Sequence, residues 1–188
     1  MKNNNYNDKI FYKIVRFFVK ILFFPIFRPK VVGVQNIGDG KVLLAGNHTS
    51  ILDPLLLMSV VKRDIHFLAK IELFKGPTKV IFNNLGLIPV DRKRKNRAAI
   101  DAAIKYLEND KVVLIFPEGT TSKSNLLPFK NGVFKISNET GARIVPFVIS
   151  GGYGLKRIKI KFLEGYVPSC NIDFENKKLY NLIESNRE

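Results

Sequence analysis

The chain has 188 residues, of which 46% are hydrophobic and 11% aromatic, enough apolar content for one compact core and too much for a disordered chain. Its 31 Lys and Arg against 16 Asp and Glu give a formal net charge of +15, a field that attracts nucleic acid, anionic lipid or phosphorylated substrates. A single cysteine, Cys170, excludes an internal disulfide and suits a reducing, cytosol-facing location.

Residues 10 to 27, IFYKIVRFFVKILFFPIF, are mostly apolar, but Lys13, Arg16 and Lys20 interrupt them, so no uncharged span of about 18 residues exists for a simple transmembrane helix. Lys9, Lys13, Arg16 and Lys20 follow a 4-3-4 spacing, which stacks them on one helical face opposite Ile10, Phe11, Ile14, Phe17, Phe18, Ile21 and Leu22. A basic amphipathic helix of this kind can lie in a bilayer interface, aromatics among acyl chains and cations at anionic headgroups. The same pattern also suits a helix docked on the core. Pro25 and Pro29 are expected to end it near Arg28 and Lys30. No small-residue cleavage site follows, which disfavours a removable signal peptide.

After residue 30, short apolar runs alternate with helical patterns. Strands are expected at Val31–Gln35, Val42–Ala45, Ile65–Ala69, Leu87–Val90, Val112–Phe116, Ile144–Ile149 and Ile158–Phe162. Helices are expected at Pro54–Val61, Lys79–Asn84, Arg97–Asn109, Val133–Glu139 and Phe174–Asn186. Such alternation predicts one α/β domain over residues 31 to 188, with a mixed, mainly parallel sheet flanked by helices and an N-terminal anchoring segment over residues 1 to 30. No repeat or linker rich in Pro, Gly or Ser divides it.

Chemistry concentrates in the turn that follows the second strand, Asn47-His48-Thr49-Ser50-Ile51-Leu52-Asp53-Pro54. Five residues apart on a continuous helix, His48 and Asp53 would point about 140° from each other, so pairing requires a turn between them; Pro54 at the first helical position, with Asp53 as N-cap, would supply one. A carboxylate on one imidazole nitrogen fixes the tautomer and supports the other nitrogen as a base toward an alcohol. Taken alone, the block also reads as a surface histidine beside a helix-capping aspartate. Neither a serine nor the cysteine has a nucleophile's surroundings. Two histidines and one cysteine leave nothing from which to build a metal site, and no cofactor is implied. His66, inside an apolar strand, reads as structural.

Three further blocks accompany the first: Gly86-Leu87-Ile88-Pro89-Val90-Asp91-Arg92, Phe116-Pro117-Glu118-Gly119-Thr120-Thr121-Ser122, and Ile144-Val145-Pro146-Phe147. In order and approximate spacing the four resemble the glycerolipid acyltransferase family, the 1-acyl-glycerol-3-phosphate acyltransferases, over about residues 31 to 165. The resemblance implies transfer of a fatty acyl group from an acyl-CoA or acyl-carrier-protein thioester to the sn-2 hydroxyl of lysophosphatidic acid, giving phosphatidic acid. It assigns His48 as general base and Asp53 as its orienting partner. Arg92, Glu118, Gly119 and Thr120 would bind the glycerol-phosphate part of the acceptor. Lys70, in the family-like segment Ala69-Lys70-Ile71-Glu72-Leu73-Phe74, would face the phosphate, and Pro146 would lie beside the acyl-donor path. Many family members carry arginine where this chain has Thr121; Lys123 or Lys130 could replace that charge, without arginine's bidentate fork.

With this resemblance the expected location is the cytoplasmic face of the cell membrane, peripheral or monotopic. A rival within the same chemistry is another acceptor: glycerol 3-phosphate, another lysophospholipid or a lyso-aminolipid. A rival of another class is a non-catalytic basic protein bound to membrane or nucleic acid, but the cationic run from Arg92 to Arg97 comes without a nucleic-acid recognition motif, so no nucleic-acid partner is expected.

Overall fold

The computed structural model describes residues 5–76, 79–91, 97–153 and 157–187, with side chains from residue 10 onward. Seven strands form one sheet: β1 (Lys30–Val32), β2 (Val42–Gly46), β3 (Ile65–Lys70), β4 (Ile88–Val90), β5 (Val112–Ile115), β6 (Arg143–Ser150) and β7 (Lys159–Phe162). Their order is β1-β7-β6-β2-β5-β3-β4. Every pairing is parallel except β6 with β7. Helices α1 (Asn5–Phe27), α2 (Asp53–Val60) and α3 (Lys79–Asn84) accompany α4 (Arg97–Glu108), α5 (Gly132–Thr140) and α6 (Ile172–Glu184). The expected mixed, mainly parallel α/β domain is the one observed.

The alternation of a strand explains the layers. Val42 and Leu44 of β2 join a core with Leu56, Leu57 and Met58 of α2 and with Tyr12 and Val19 of α1. Leu43 and Ala45 face the other way, into a core with Ala103 and Leu107 of α4, Phe134 of α5 and Leu179 of α6. All five residues of β2 are buried, as expected of a strand covered on both faces by helices.

Three expectations are corrected. The first strand ends at Val32, because Gly33 takes φ 76° and the chain turns into a short 3-10 segment, Val34–Ile37. A Cβ at Gly33 would lie 2.1 Å from the Phe162 carbonyl oxygen, so only glycine fits this turn beside β7. Helix α1 ends beside Arg28, where expected, but Pro25 sits inside its last turn and not after it. The helix stops at Arg28, which has φ 39° and donates its N–H to the Phe24 carbonyl at 2.8 Å. Asp53 is not the N-cap of α2 but its first residue, and Leu52 is the cap.

Helix α1 has three sides. Tyr12 and Val19 are buried, and the Tyr12 hydroxyl accepts the Ile65 N–H at 2.8 Å. Lys13, Arg16 and Lys20 form a strip beside that face, where Arg16 donates to the Lys62 carbonyl. Beyond the strip Ile10, Ile14, Phe17, Phe18, Ile21 and Leu22 are exposed, Phe17 to 60% and Phe18 to 58%. The helix is thus both docked on the core and apolar on its outer face. Among the described residues, no helix is long and apolar enough to cross a membrane.

Candidate active site

The side chains of interest gather where parallel strands end, the usual place for a site in an open α/β sheet. His48 lies two residues beyond β2, Phe116 and Glu118 follow β5, and Lys70 closes β3. Asn47 sets the exit of β2: its Nδ2 donates to the Ile149 carbonyl at 2.8 Å and its Oδ1 accepts the Ile149 N–H at 2.8 Å. This reciprocal clamp on β6 gives both ends of a buried amide a partner and fixes where the next residue emerges.

The turn between β2 and α2 brings His48 and Asp53 together, with Nδ1 to Oδ2 at 2.9 Å. Asp53 is fully buried, so its charge must be compensated by donors. Oδ2 also accepts the N–H groups of Thr49 at 2.6 Å and Ser50 at 2.9 Å. Oδ1 accepts the hydroxyls of Thr49 at 3.2 Å and Tyr153 at 2.5 Å. The Tyr153 phenol is pushed well above its ordinary range, chiefly by burial and then by the neighbouring Asp53 charge and the hydrogen bond to it. With Nδ1 engaged, Nε2 is the nitrogen of His48 left to take a proton.

The Phe116–Thr120 block holds His48 from the other side. The Phe116 ring stacks on the imidazole with centroids 3.9 Å apart and planes within 16°. Glu118, buried, accepts the His48 N–H on Oε1 at 2.8 Å and the Leu127 N–H on Oε2 at 3.0 Å. Ser122 N–H donates to the His48 carbonyl at 2.7 Å. The loop then closes, Lys130 N–H to the Pro117 carbonyl at 2.9 Å. Helix α6 and the residues after it hold its outer side: Asn176 donates to the Phe129 carbonyl, Tyr180 to that of Leu126 and Arg187 to that of Ser124.

In front of His48 is a cavity of about 340 Å³. Its walls are apolar, with Leu68 and Val90 from β3 and β4, Ala99 and Ile100 from α4, and Ile115 and Val133 from β5 and α5. Among the described residues, two cations line it with His48: Lys70 and Lys130. The Lys130 ammonium lies over Gly119, where a Cβ would be 2.7 Å from Nζ and where φ is +73°. Glycine at position 119 therefore admits both the turn and the cation. A histidine backed by a carboxylate, an apolar chamber and two cations suit a substrate with a hydroxyl, a hydrocarbon tail and a negative charge.

Of the residues singled out from sequence, the structure brings His48, Lys70, Gly119 and Lys130 to this cavity, with Asp53 buried behind His48. Glu118 is brought to the site behind His48, with both oxygens on main-chain amides. Thr120 and Lys123 are exposed and are not among the cavity's lining. Arg92 lies outside the described residues. Among the described residues, no group of three or more His, Cys, Asp or Glu side chains could hold a metal ion. Sequence reasoning missed Tyr153, the Phe116 stack and the Asn47 clamp. Asparagine directly after a buried strand was the one local signal available. His66 is half-buried, stacked on Tyr106 at 3.8 Å and bonded through Nδ1 to the Gly86 carbonyl at 3.0 Å, apart from the cavity lining.

Comparisons with known proteins show the family to which this chain belongs. Residues 28–150 match the family described as Acyltransferase. A chloroplastic 1-acyl-sn-glycerol-3-phosphate acyltransferase of Brassica napus is 28% identical over 154 residues, covering 79% of this chain and 44% of its own. The 1-acyl-sn-glycerol-3-phosphate acyltransferase of Saccharomyces cerevisiae is 36% identical over 129 residues, covering 64% of this chain and 42% of its own. The chain therefore spans less than half the length of these two relatives. In three dimensions it is similar to the crystal structure of PlsC, the 1-acyl-sn-glycerophosphate (LPA) acyltransferase of Thermotoga maritima, with a TM-score of 0.78 and 27% identity over 98% of this chain and 81% of that one.

Proposed function

Because this chain belongs to the acyltransferase family, we propose that it carries a fatty acyl group from an acyl-CoA or acyl-carrier-protein thioester to the sn-2 hydroxyl of 1-acyl-glycerol-3-phosphate, yielding phosphatidic acid for phospholipid synthesis. The observation that carries this reading is the His48–Asp53 pair, 2.9 Å apart, at the wall of an apolar cavity that two lysines also line. The names of the relatives support the same acceptor.

In the proposed reaction His48 Nε2 takes the proton of the acceptor hydroxyl as its oxygen attacks the thioester carbonyl carbon. The tetrahedral intermediate collapses with cleavage of the C–S bond, and the proton on His48 returns to the leaving thiolate. Asp53 orients the ring and supports the imidazolium. Glu118 and Phe116 hold the same residue through its main chain and its ring face. The acceptor phosphate is held by Lys70 and Lys130, with Gly119 leaving room for the second; Arg92 is proposed to join them. Lys130, on the cavity, is a better substitute for the family arginine absent at Thr121 than Lys123.

The exposed apolar face of α1 and its strip of Lys13, Arg16 and Lys20 support seating at an anionic lipid surface, at the cytoplasmic face of the membrane and without a span. That surface is also where a lysolipid acceptor is found.

An acyl-transfer assay with purified protein, both thioester classes and a panel of lysolipids tests the reading, and Lys130→Ala sharpens it. Loss of one charge-assisted phosphate contact should lower kcat/KM roughly ten- to 150-fold, through KM for the phosphorylated acceptor and not for the thioester. An unchanged acceptor KM would favour the second reading that Thr121 raises, the same chemistry on another acceptor.

A further inference from the structure

Asp53 receives five hydrogen bonds, and four come from its own turn: the His48 ring, the Thr49 and Ser50 amides and the Thr49 hydroxyl. Donors within the turn move with it and leave its placement open. The fifth is different. Tyr153 lies 100 residues along the chain, just after β6, and its hydroxyl reaches Oδ1 at 2.5 Å. Its ring stands edge-on to Phe27 at the end of α1, with centroids 5.1 Å apart and planes at 78°. A phenol joins an apolar ring to a polar tip: the ring is held by packing, so the hydroxyl is delivered at a fixed point.

We propose that Tyr153 is a positioning residue for acyl transfer, fixing the Asp53 carboxylate and through it the plane and basicity of His48. This rests on the reading of His48 as general base. Two effects follow from one bond. The carboxylate is held from outside its own turn, so the imidazole keeps the attitude in which Nε2 meets the acceptor hydroxyl. Part of the carboxylate's charge is also drawn toward the phenol, which moderates its pull on the imidazolium. The phenol is a dependable donor, because burial and the adjacent carboxylate keep it protonated. The other titratable groups near His48 are Glu118, on its main-chain amide, and Lys70 and Lys130, which line the cavity with it; the test leaves all three in place.

The test compares Tyr153→Phe with the native chain, since phenylalanine keeps the ring packing and removes only the hydroxyl. At saturating substrates kcat should fall about tenfold, with both KM values within about twofold. The acid limb of the kcat/KM profile should move to higher pH, because the undispersed carboxylate then favours the imidazolium. In a His48→Ala background, Tyr153→Phe should cost nothing more, as no ring remains to be oriented. A native-like kcat with an unmoved acid limb overturns the proposal. So does a loss seen equally in the His48→Ala background, which would mark a role in the fold alone. His48→Ala that keeps near-native turnover would instead remove the general-base reading beneath it, so the two failures are distinguishable.

Discussion

The β2–α2 turn and helix α1 each place residues where burial statistics would not, and they do so in opposite senses. The turn buries a carboxylate completely, and α1 leaves Phe17, Phe18, Ile21 and Leu22 more than half exposed. Asp53 is compensated within the molecule, by five donors at 2.5 to 3.2 Å. Among the described residues, nothing covers the apolar face of α1 in this way. The difference teaches where each region's partner is: a buried charge fully bonded at home is set up to act on a neighbour such as His48, whereas a wide apolar face beside a cationic strip is set up for something that comes from outside.

The sharpest way to break that contrast is at the turn. His48→Ala should reduce turnover roughly 100- to 10,000-fold in a folded protein, measured by acyl transfer alongside a thermal melt. Asp53→Asn should lose less, and the double variant should stay close to His48→Ala, because the two side chains act as one unit. Additive losses would give Asp53 a separate task and undo its description as a residue that works through its neighbour.

The helix side is tested by Phe17→Ser and Ile21→Ser, which spare Tyr12 and Val19 and hence the core. Deleting the whole helix would also remove the Tyr12 bond to β3, so point changes separate lipid contact from folding. Each large apolar side chain fully withdrawn from water contributes about 1.5 to 3 kcal/mol, so affinity for anionic vesicles should fall about tenfold or more per substitution. Raising the salt concentration should weaken binding through the cationic strip, since screening acts over roughly 8 to 10 Å. Vesicle affinity that both changes leave intact would mean the apolar face has another partner.

The smallest effect sharpens the contrast from a third position. His66 is only half-buried, but its Nε2 is shut off from water and has no hydrogen-bond partner among the described residues. Burial lowers its pKa from the ordinary 6.5, against a smaller upward pull from its bond to Gly86. As pH falls below that ordinary value, the unfolded chain takes up a proton that the folded chain refuses, and stability is lost. The slope cannot exceed one proton, about 1.4 kcal/mol per pH unit. His66→Phe should remove that component from chemical denaturation curves measured between pH 7 and pH 5.

Local patterning made much of the fold legible. The bounds expected for α3, Lys79–Asn84, are those observed, and β2 differs by one residue, because uniform burial on both faces leaves an unmistakable apolar run. β1 was overestimated because Gly33 turns the chain against Phe162, a contact 129 positions away that no window contains. At the site, His48 and Asp53 were legible from spacing and chemistry. Tyr153 was not, since its meaning arises only when β6 brings it beside a turn 100 residues earlier. Lys123 stood nearer than Lys130 to the missing arginine by counting, yet the loop folds back at Pro117 and delivers Lys130 to the cavity.

The bonds from Asn176, Tyr180 and Arg187 to the loop over residues 117–130 span 47 to 63 positions of sequence. During synthesis at about 5 to 20 residues per second, that loop leaves the ribosome a few to about a dozen seconds before the side chains that clasp it. Helix α1 emerges well before either. A growing chain thus presents the exposed apolar face of α1 before it can complete the support of its Lys130 loop, so contact through that face can precede assembly of the cavity.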